Sequence, residues 1–368
     1  MSAPASPTDT GLLMRAAVLQ GPGVLEVRDV ERPTPGPGEA LVQVMVSGIC
    51  GSDLPRVLGS GARRYPLILG HEFSGVVAEA GQGTEIALGT RVAGVPLLPC
   101  DECQDCASGH YSQCRNYSFL GSRVDGAWAE YVVVPERNLL RLADAMTFEA
   151  GAMIEPSSVA LHAFRLAGYD GGGRVAVIGA GNIGVFATQW ARLLGADQVT
   201  VFDIDEARLA TATALGADLV QRTDLQQDDW REQTGGRGFD LVIESSGVSP
   251  ALTSALQLVA SKGTIVSVGS PTRPVEFEPH VFELLQRKEA TFVGSWMSYS
   301  SPFPGEEWTS SVRAFETGRL TCDSLVAARF ALDDANGAFD LYRSGNAVRG
   351  KVLLYNNEYL RSMGTEGR

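Results

Sequence analysis

The sequence has little positive charge and no long apolar run. Its 368 residues contain 30 lysines and arginines against 43 aspartates and glutamates, which gives a net charge of −13. This charge repels phosphate backbones, so we expect no nucleic-acid partner. The most apolar stretch, near residues 175–190, is interrupted by glycines and polar residues, so we expect no membrane partner. The first ten residues, MSAPASPTDT, have neither a basic nor an apolar segment. We therefore expect no secretory signal, a disordered tail over residues 1–14 and a cytoplasmic protein.

Cysteine and histidine are also scarce, at six and four residues, but four of the cysteines are close together. Cys100, Cys103, Cys106 and Cys114 have the spacing C-x2-C-x2-C-x7-C. In a chain without a secretory leader this packing favours a metal over disulfides, and four thiolates complete the tetrahedral ligand set of a structural zinc. The alternative is an iron–sulfur cluster. Bacterial ferredoxins, however, have x3 before the last cysteine and a proline after it, where this sequence has x7 and Arg115.

The sequence divides into a β-rich part and a part in which strands alternate with helices. Short β-type runs between Met14 and about Tyr131 are separated by glycine and proline, which predicts a compact antiparallel or barrel-like domain. After about Leu166, the runs RVAVIGAG, QVTVFDID, FDLVIESSG and GTIVSVGS alternate with helical stretches, which indicates a doubly wound parallel sheet. The segment after about Tyr299 ends in KVLLY, and we expect it to return to the first domain. The predicted domains are a catalytic domain of residues 15–164 and 299–368 and an inserted cofactor domain of residues 165–298.

A dinucleotide-binding fingerprint follows the first predicted strand of the cofactor domain. Gly179, Gly181 and Gly184 have the G-x-G-x-x-G spacing between an apolar strand and an apolar-periodic helix. The first glycine permits a tight turn, the second lets the pyrophosphate approach the backbone, and the third lets the helix pack closely on the strand. The start of the helix, which includes Asn182 and Ile183, offers free N–H groups to the phosphates.

Asp203 ends the next predicted strand, 24 residues after Gly179. A carboxylate at this position accepts hydrogen bonds from both ribose hydroxyls of NAD and repels a 2′-phosphate, so we predict NAD as the cofactor. The alternative role of Asp203 is to cap the following helix. Arg208 is the argument for NADP, because a nearby arginine accommodates the 2′-phosphate.

Cys50, in CGSD, and His71 with Glu72, in GHE, form a second candidate metal site. A catalytic zinc has three protein ligands and one open position. Cys50 and His71 supply two ligands, and we predict that the third is a carboxylate. Glu155 is the first candidate, and Glu72 is the second. One thiolate, one carboxylate and a neutral histidine offset the charge of a zinc ion whose role is to lower the pKa of an alcohol. Two residues after Cys50, Ser52 is placed to relay the hydroxyl proton.

Together, CGSD, GHE, the four-cysteine loop and GAGNIG resemble the zinc-containing medium-chain alcohol dehydrogenase family over roughly residues 14–355. The Glu155 segment resembles the polyol, or sorbitol-like, branch, in which a glutamate replaces the second zinc-binding cysteine. CGSDLPR, LGHEFSG, VPLLPC and GSWMSYSSPFPGEEW are similar to dehydrogenases of phosphorylated sugar alcohols. The resemblance implies a GroES-like catalytic domain interrupted by a Rossmann domain, and a homodimer or homotetramer. It also places four residues near the cofactor: Ser246, Val268, Ser270 and Ser295.

These motifs predict a dehydrogenase with two zinc ions per chain, one catalytic and one structural. It would transfer a hydride from a secondary alcohol of a sugar alcohol to NAD. We expect the small-molecule substrate to carry a phosphate for two reasons. The resemblance to dehydrogenases of phosphorylated sugar alcohols implies it, and the basic residues Arg56, Arg63 and Arg64 precede GHE. Trp296, in GSWMSY, is the second residue that we assign to substrate binding. The alternatives are a cyclitol or unphosphorylated polyol dehydrogenase and a non-enzymatic NAD-sensing protein.

Overall fold

A computed structural model describes residues 12–59, 61–224, 229–344 and 348–364. Residues 1–11 of the expected tail lie outside these ranges, and the first strand begins at Leu13, inside the expected tail. The strands are β1 (Leu13–Gly21), β2 (Val24–Glu31), β3 (Glu39–Gly48), β4 (Leu67–Ile68), β5 (Glu72–Ala80), β6 (Arg91–Gly94), β7 (Leu97–Leu98), β8 (Ser118–Phe119), β9 (Tyr131–Pro135), β10 (Leu139–Arg141), β11 (Arg174–Ile178), β12 (Gln198–Asp203), β13 (Leu219–Arg222), β14 (Phe239–Glu244), β15 (Val259–Ser267), β16 (Thr291–Gly294), β17 (Val326–Ala331) and β18 (Lys351–Tyr355).

The helices are α1 (Leu54–Leu58), α2 (Gln104–Ala107), α3 (Phe148–Ala152), α4 (Ile154–Leu166), α5 (Asn182–Leu193), α6 (Glu206–Ala214), α7 (Asp229–Gln233), α8 (Ser249–Leu258), α9 (Pro279–Arg287), α10 (Glu306–Glu316), α11 (Ala335–Arg343) and α12 (Asn357–Ser362). No helix in the described ranges is long and apolar enough to cross a membrane.

The β-rich part is built around one large sheet with the strand order β10-β6-β5-β3-β18-β17, and β9 also pairs with β3. β18 lies antiparallel to β3 and parallel to β17, so the C-terminal segment returns to the first sheet. A smaller sheet has the order β2-β1-β4. Because β3 and β5 are antiparallel, the end of β3 meets the beginning of β5, and Gly48 is the register partner of Glu72.

The cofactor domain contains a six-stranded sheet with the order β13-β12-β11-β14-β15-β16, and every pairing in it is parallel. The predicted doubly wound sheet is therefore confirmed. The strand order reverses direction at β11, which is where open sheets of this type bind their ligands, outside the carboxyl ends of the strands. The glycine-rich turn follows β11, at this carboxyl edge.

One apolar core runs through both parts of the molecule. It joins Val46 of the large sheet, Val177 of the parallel sheet and Trp308 of α10, all of them fully buried. Helix α4 packs against both α5 and α10, so it lies where the two parts meet. Side chains at the beginning of α4 can therefore reach the crevice between the cofactor turn and the large sheet.

Candidate active site and metal centres

The strand register brings three of the four candidate ligands of the reactive metal together, and Glu155 lies outside this group. Cys50 lies two residues past the end of β3, and His71 lies just before β5. The Cys50 thiol, a ring nitrogen of His71 and a carboxylate oxygen of Glu72 lie within 4.8 Å of one another. Gly48 allows this close approach, because a Cβ at that position would lie 2.3 Å from Glu72 Oε2. This donor set, soft sulfur with nitrogen and oxygen, suits zinc.

Glu72 is held by a lysine that sequence reasoning missed. Lys351, at the start of β18, places its Nζ 2.7 and 2.6 Å from the two carboxylate oxygens of Glu72, and both residues are buried. Burial disfavours the charged ammonium, but the Glu72 carboxylate more than compensates, so the pKa of Lys351 is raised. The Glu72 carboxylate is therefore neutralised by a cation of the protein itself.

Glu155 is the second residue of α4 and is half-buried beside this cluster. Burial, together with the charge of Glu72, raises the pKa of Glu155 to about 7, while the nearby His71 acts in the opposite direction. Burial and the charge of Glu72 also raise the pKa of the Cys50 thiol. Buried acidic groups that lie close together in this way are stabilised in their charged forms by a bound cation.

Asp53 connects the loop that carries Cys50 (residues 50–53, the ligand loop) to its surroundings, and it is completely buried. Its carboxylate accepts hydrogen bonds from the Cys50 backbone N–H at 3.1 Å and from Arg56 Nη1 at 2.9 Å. The same carboxylate lies 3.7 Å from His71 Nδ1, a buried nitrogen without a hydrogen-bond partner among the described residues. The two atoms are too far apart for a hydrogen bond, so the Asp53 carboxylate acts on the His71 ring through its charge alone.

The remaining predicted substrate and relay residues lie nearer the surface. Ser52 is exposed, in the short 3-10 turn Gly51–Asp53. The Arg56 side chain is 25% exposed, and its second amino group lies 3.4 Å from Ser122 Oγ. Arg64 forms an ion pair with Asp125 at 2.8 Å. Trp296 follows β16 and is 53% exposed.

Tyr299 is a second residue that sequence reasoning missed. It is 4% exposed, and its buried hydroxyl has no hydrogen-bond partner among the described residues. Burial raises the pKa of Tyr299, and the charge of Glu155 raises it further. The hydroxyl is therefore close enough to the predicted zinc ligands to be affected by their charge. Its position as the last residue of the GSWMSY stretch was the only signal in the sequence.

The four-cysteine loop has the size of a single-metal site. The sulfur–sulfur distances are 3.4 Å for Cys100–Cys114, 3.6 Å for Cys103–Cys106 and 4.0 Å for Cys100–Cys106. Zn–S bonds of about 2.3 Å in a tetrahedron place the sulfur atoms about 3.8 Å apart. All four ligand atoms lie within 4.8 Å of one another, which suits one ion better than a cluster of several irons. The Cys106 backbone N–H donates to Cys103 Sγ and lowers the pKa of that thiol to about 6, which favours the metal-binding thiolate.

The three glycines of the cofactor turn each have a distinct spatial reason. Gly179 has a φ of +92°, which favours glycine. A Cβ on Gly184 would lie 1.7 Å from the Gly179 carbonyl oxygen, so only glycine permits this approach of α5 to β11. A Cβ on Gly181 would meet nothing within 4 Å, which leaves space for a ligand against the backbone. Asn182 and Ile183 are the first two residues of α5, and Asn182 Oδ1 is buried without a partner in the described structure.

The Asp203 carboxylate supports the glycine-rich turn. Asp203 Oδ2 accepts a hydrogen bond from the Ala180 N–H at 2.6 Å, and Oδ1 accepts one from the Asp205 N–H at 2.8 Å. Each carboxylate oxygen has a further acceptor site, so ribose hydroxyls can still bind. Arg208 donates to the carbonyl oxygen of Val348 at 3.1 Å and lines a small cavity beside Gly181.

The other predicted cofactor residues follow the carboxyl ends of neighbouring parallel strands. Ser246 follows β14, Val268 and Ser270 follow β15, and Ser295 follows β16, so all four lie along the same edge as the glycine-rich turn. The Ser295 hydroxyl is buried without a partner among the described residues. Glu244, which sequence reasoning missed, accepts hydrogen bonds from the Ser246 N–H and hydroxyl and fixes this turn. Unpaired buried donors and acceptors at this edge fit a polar ligand such as the nicotinamide amide of NAD.

Comparison with known proteins agrees with this geometry. Residues 36–144 match the family described as "Alcohol dehydrogenase GroES-like domain", and residues 182–315 match "Zinc-binding dehydrogenase". The chain is 41% identical to galactitol 1-phosphate 5-dehydrogenase of Escherichia coli K12, over 86% of this chain and 92% of that protein. It is 32% identical to sorbitol dehydrogenase of Halalkalibacterium halodurans, over 91% of this chain and 96% of that one.

A solved structure shows the same architecture. The crystal structure of galactitol-1-phosphate dehydrogenase from Escherichia coli superimposes with a TM-score of 0.88 at 38% identity, and the match covers 93% of this chain and all of that one. The predicted fold class, a Rossmann domain inserted in a GroES-like catalytic domain, is confirmed, as are the enzyme class and the zinc and NAD cofactors. The NAD-sensing alternative is not supported. The chain belongs to the zinc-containing medium-chain alcohol dehydrogenase family, in its polyol branch.

Proposed function

We propose that this enzyme oxidises a secondary alcohol of a phosphorylated sugar alcohol of the galactitol 1-phosphate type, at a zinc ion held by Cys50, His71 and Glu155. The observation that carries the ligand assignment is the ion pair of Glu72 with Lys351. Because both oxygens of Glu72 accept hydrogen bonds from the ammonium group, Glu155 is the carboxylate that remains available to a metal. Cys50 and Glu155 then supply two negative charges that balance Zn²⁺.

A zinc ion held by these residues would lower the pKa of the substrate hydroxyl, and NAD would accept the hydride. Asp53 holds the ligand loop through its hydrogen bond with the Cys50 N–H, and its charge faces the His71 ring. Exposed Ser52 passes the hydroxyl proton to solvent. The α5 N-terminus and the turn at Gly181 hold the pyrophosphate, and Asp203 binds the adenosine ribose.

Two variants distinguish the candidate third ligands. Glu155→Gln should lose catalytic zinc and turnover and retain the zinc of the four-cysteine loop. Glu72→Gln should retain both zinc ions at reduced activity. The measurement is zinc content by elemental analysis, with circular dichroism as the test of folding. Loss of a zinc ion from Glu72→Gln with retention in Glu155→Gln would reverse the assignment.

Arg56 is the residue that we propose to bind the substrate phosphate. It is partly exposed, and it adjoins the ligand loop through Asp53. A guanidinium has five N–H donors, so the contacts with Asp53 and Ser122 leave others for a dianion. The similarity to a galactitol 1-phosphate dehydrogenase supports a substrate that carries a phosphate.

The test compares galactitol 1-phosphate with galactitol and with a cyclitol such as myo-inositol. The wild-type enzyme should favour the phosphorylated substrate in kcat/KM by roughly tenfold to a hundredfold, the value of one charge-assisted contact. Arg56→Gln should lower this ratio. It also disturbs Asp53, so the informative quantity is the ratio and not the absolute rate. Arg64→Gln, at the surface pair with Asp125, is the matched control and should leave the ratio unchanged. Equal wild-type efficiency on galactitol, or a preference for the cyclitol, contradicts a phosphorylated substrate.

We also propose a homodimer formed through the edge of the cofactor sheet. β16 is an edge strand, and its Phe292 is 42% exposed. Phe282, on the neighbouring helix α9, is 48% exposed. An edge strand with exposed aromatic side chains is a surface that proteins normally cover. Phe292→Asp should lower the molar mass measured by light scattering to that of one chain, and an unchanged mass would place the interface elsewhere.

A further inference from the structure

A cavity of about 850 Å³ lies in the cofactor domain, and none of the predicted zinc or NAD residues lines it. Arg174, at the amino end of β11, lines it, whereas the glycine-rich turn follows the carboxyl end of the same strand. The five residues of β11 are joined by four steps of about 3.3 Å, so its two ends lie about 13 Å apart. The Arg174 end of the cavity therefore lies at the opposite edge of the sheet, whereas its other end, at Phe202 and Arg222, adjoins Asp203.

The lining of this cavity is basic in a chain whose net charge is −13. One carboxylate, Asp240, is present among its lining residues. Against it stand five cationic side chains, those of Arg174, Arg222, Arg231, Arg237 and Lys288. Burial lowers the pKa of Lys288, and the positive charge of Arg231 lowers it further, as expected where cations lie close together.

Three of these cations already have partners. Arg222 forms an ion pair with Asp224. Lys288 Nζ donates to three backbone carbonyl oxygens at the end of α8, at 2.6 to 3.0 Å. Arg231 lies over the ring of Trp230, 4.6 Å from its centre.

Arg174 and Arg237 differ from those three, because neither guanidinium forms a hydrogen bond or ion pair with any residue in the described ranges. Both residues also line an adjoining cavity with Gln233, whose buried Oε1 has no hydrogen-bond partner there. Asp240 Oδ2 is occupied by the Arg174 backbone N–H at 2.8 Å, which reduces its competition for the guanidinium groups. Two unpaired guanidinium groups suit phosphate oxygens, and a buried acceptor suits a hydroxyl donor.

We propose that this cavity binds a small phosphorylated molecule that carries hydroxyl groups, through Arg174 and Arg237, at a site distinct from the substrate and cofactor sites. The bound ligand is not a substrate, because no predicted zinc ligand or hydride-transfer residue lines the cavity.

Isothermal titration calorimetry with the zinc-loaded enzyme tests this proposal. Saturating NADH is added first, so that the probe cannot occupy the cofactor site. The probe is fructose 1,6-bisphosphate, which should bind, whereas neutral fructose should not. Inorganic pyrophosphate, which has charge but no carbon-bound hydroxyls, should bind more weakly than the bisphosphate.

The double variant Arg174→Gln/Arg237→Gln should weaken binding of the bisphosphate at least tenfold. The matched control Arg28→Gln/Arg361→Gln removes two exposed arginines elsewhere and should bind it as the wild type does. Both variants should keep wild-type kcat and NADH affinity, which shows that they are folded. Absence of binding to the wild type, or equal affinity in the wild type and the cavity variant, overturns the proposal. Tighter binding of pyrophosphate overturns the requirement for hydroxyl groups.

Discussion

The Glu72–Lys351 pair allows a sharp test of how the cluster of Cys50, His71 and Glu72 is stabilised. Lys351→Met removes the ammonium and leaves the Glu72 carboxylate buried without its cation. Removal of one partner from a buried pair costs about 3–5 kcal/mol, because the remaining charge has lost its water as well as its partner. At about 2.1 cal/mol/K per residue, the unfolding entropy of this chain is close to 0.8 kcal/mol/K, so Tm should fall by about 4–6 °C.

The assay is differential scanning calorimetry of the zinc-loaded protein, with zinc content checked by elemental analysis. Lys262→Met is the matched control, because Lys262 pairs with Glu289 at the surface, where the side chains are 75% and 66% exposed. An exposed pair contributes little, so this variant should shift Tm by less than about 1 °C. The double variant Lys351→Met/Glu72→Gln should recover at least half of the lost stability, because no unpaired charge remains.

The activity of Lys351→Met provides an independent readout. An unpaired Glu72 adds negative charge next to Cys50, which makes the site less able to acidify an alcohol. The apparent pKa in the pH profile of kcat should therefore rise. A Lys351→Met protein as stable as Lys262→Met, or a double variant no more stable than the single one, would refute the argument that Lys351 neutralises Glu72.

Three further predictions concern the metals and the cofactor. Cys103→Ser should lose one of two zinc ions and unfold at lower temperature, whereas Cys50→Ser should remain folded and lose turnover. Elemental analysis and calorimetry check both variants, and iron in the wild-type protein would contradict the assignment of zinc to the four-cysteine loop. Asp203→Ala should weaken NAD binding by about 1.5–3 kcal/mol and relax the rejection of NADP, so a wild-type preference for NADP in steady-state kinetics would contradict the role of Asp203. In metal-free enzyme the pKa of Glu155 is raised from 4.5 to about 7, so the folded state binds more protons than the unfolded state between these values. Its contribution to stability is then present below about pH 4.5 and is lost as the pH rises towards 7. Glu155→Gln should flatten this pH dependence of the free energy of unfolding, measured by urea titration of chelator-treated protein. A pH dependence equal to that of the wild type would contradict the prediction.

The sequence predicted those parts of the site that depend on local spacing. The four cysteines lie within fifteen positions, and the three glycines within six, so their chemistry can be inferred from residue type and distance along the chain. The zinc loop and the cofactor turn were predicted for this reason, and the parallel sheet was predicted from strands that alternate with helices. Glu155 was inferred from the charge requirements of zinc and from family resemblance.

The residues that were missed act across long distances in the sequence. Lys351 reaches Glu72 from 279 positions away, because β18 pairs with β3 in a register that no local pattern encodes. Tyr299 and Glu244 likewise acquire their roles from the elements that surround them. The contact between Arg56 and Asp53 is local, since the two residues are three positions apart. Its role at the site depends on the burial of Asp53, which only the folded structure gives.

The position of β18 also determines when the enzyme can become active during synthesis. The Lys351 ammonium lies 3.3 Å from the Ile49 carbonyl oxygen, which comes 302 positions earlier in the chain. As the chain emerges from the ribosome, the pairing edge of β3 beside Cys50 stays open while the whole cofactor domain is translated. That domain pairs only its own strands, so it can fold first. The cluster around Glu72 is completed last, because its contact with Lys351 joins residues far apart in the sequence, and such contacts form slowly during folding. Thiolates can therefore encounter zinc in the growing chain before the buried lysine takes its place beside Glu72.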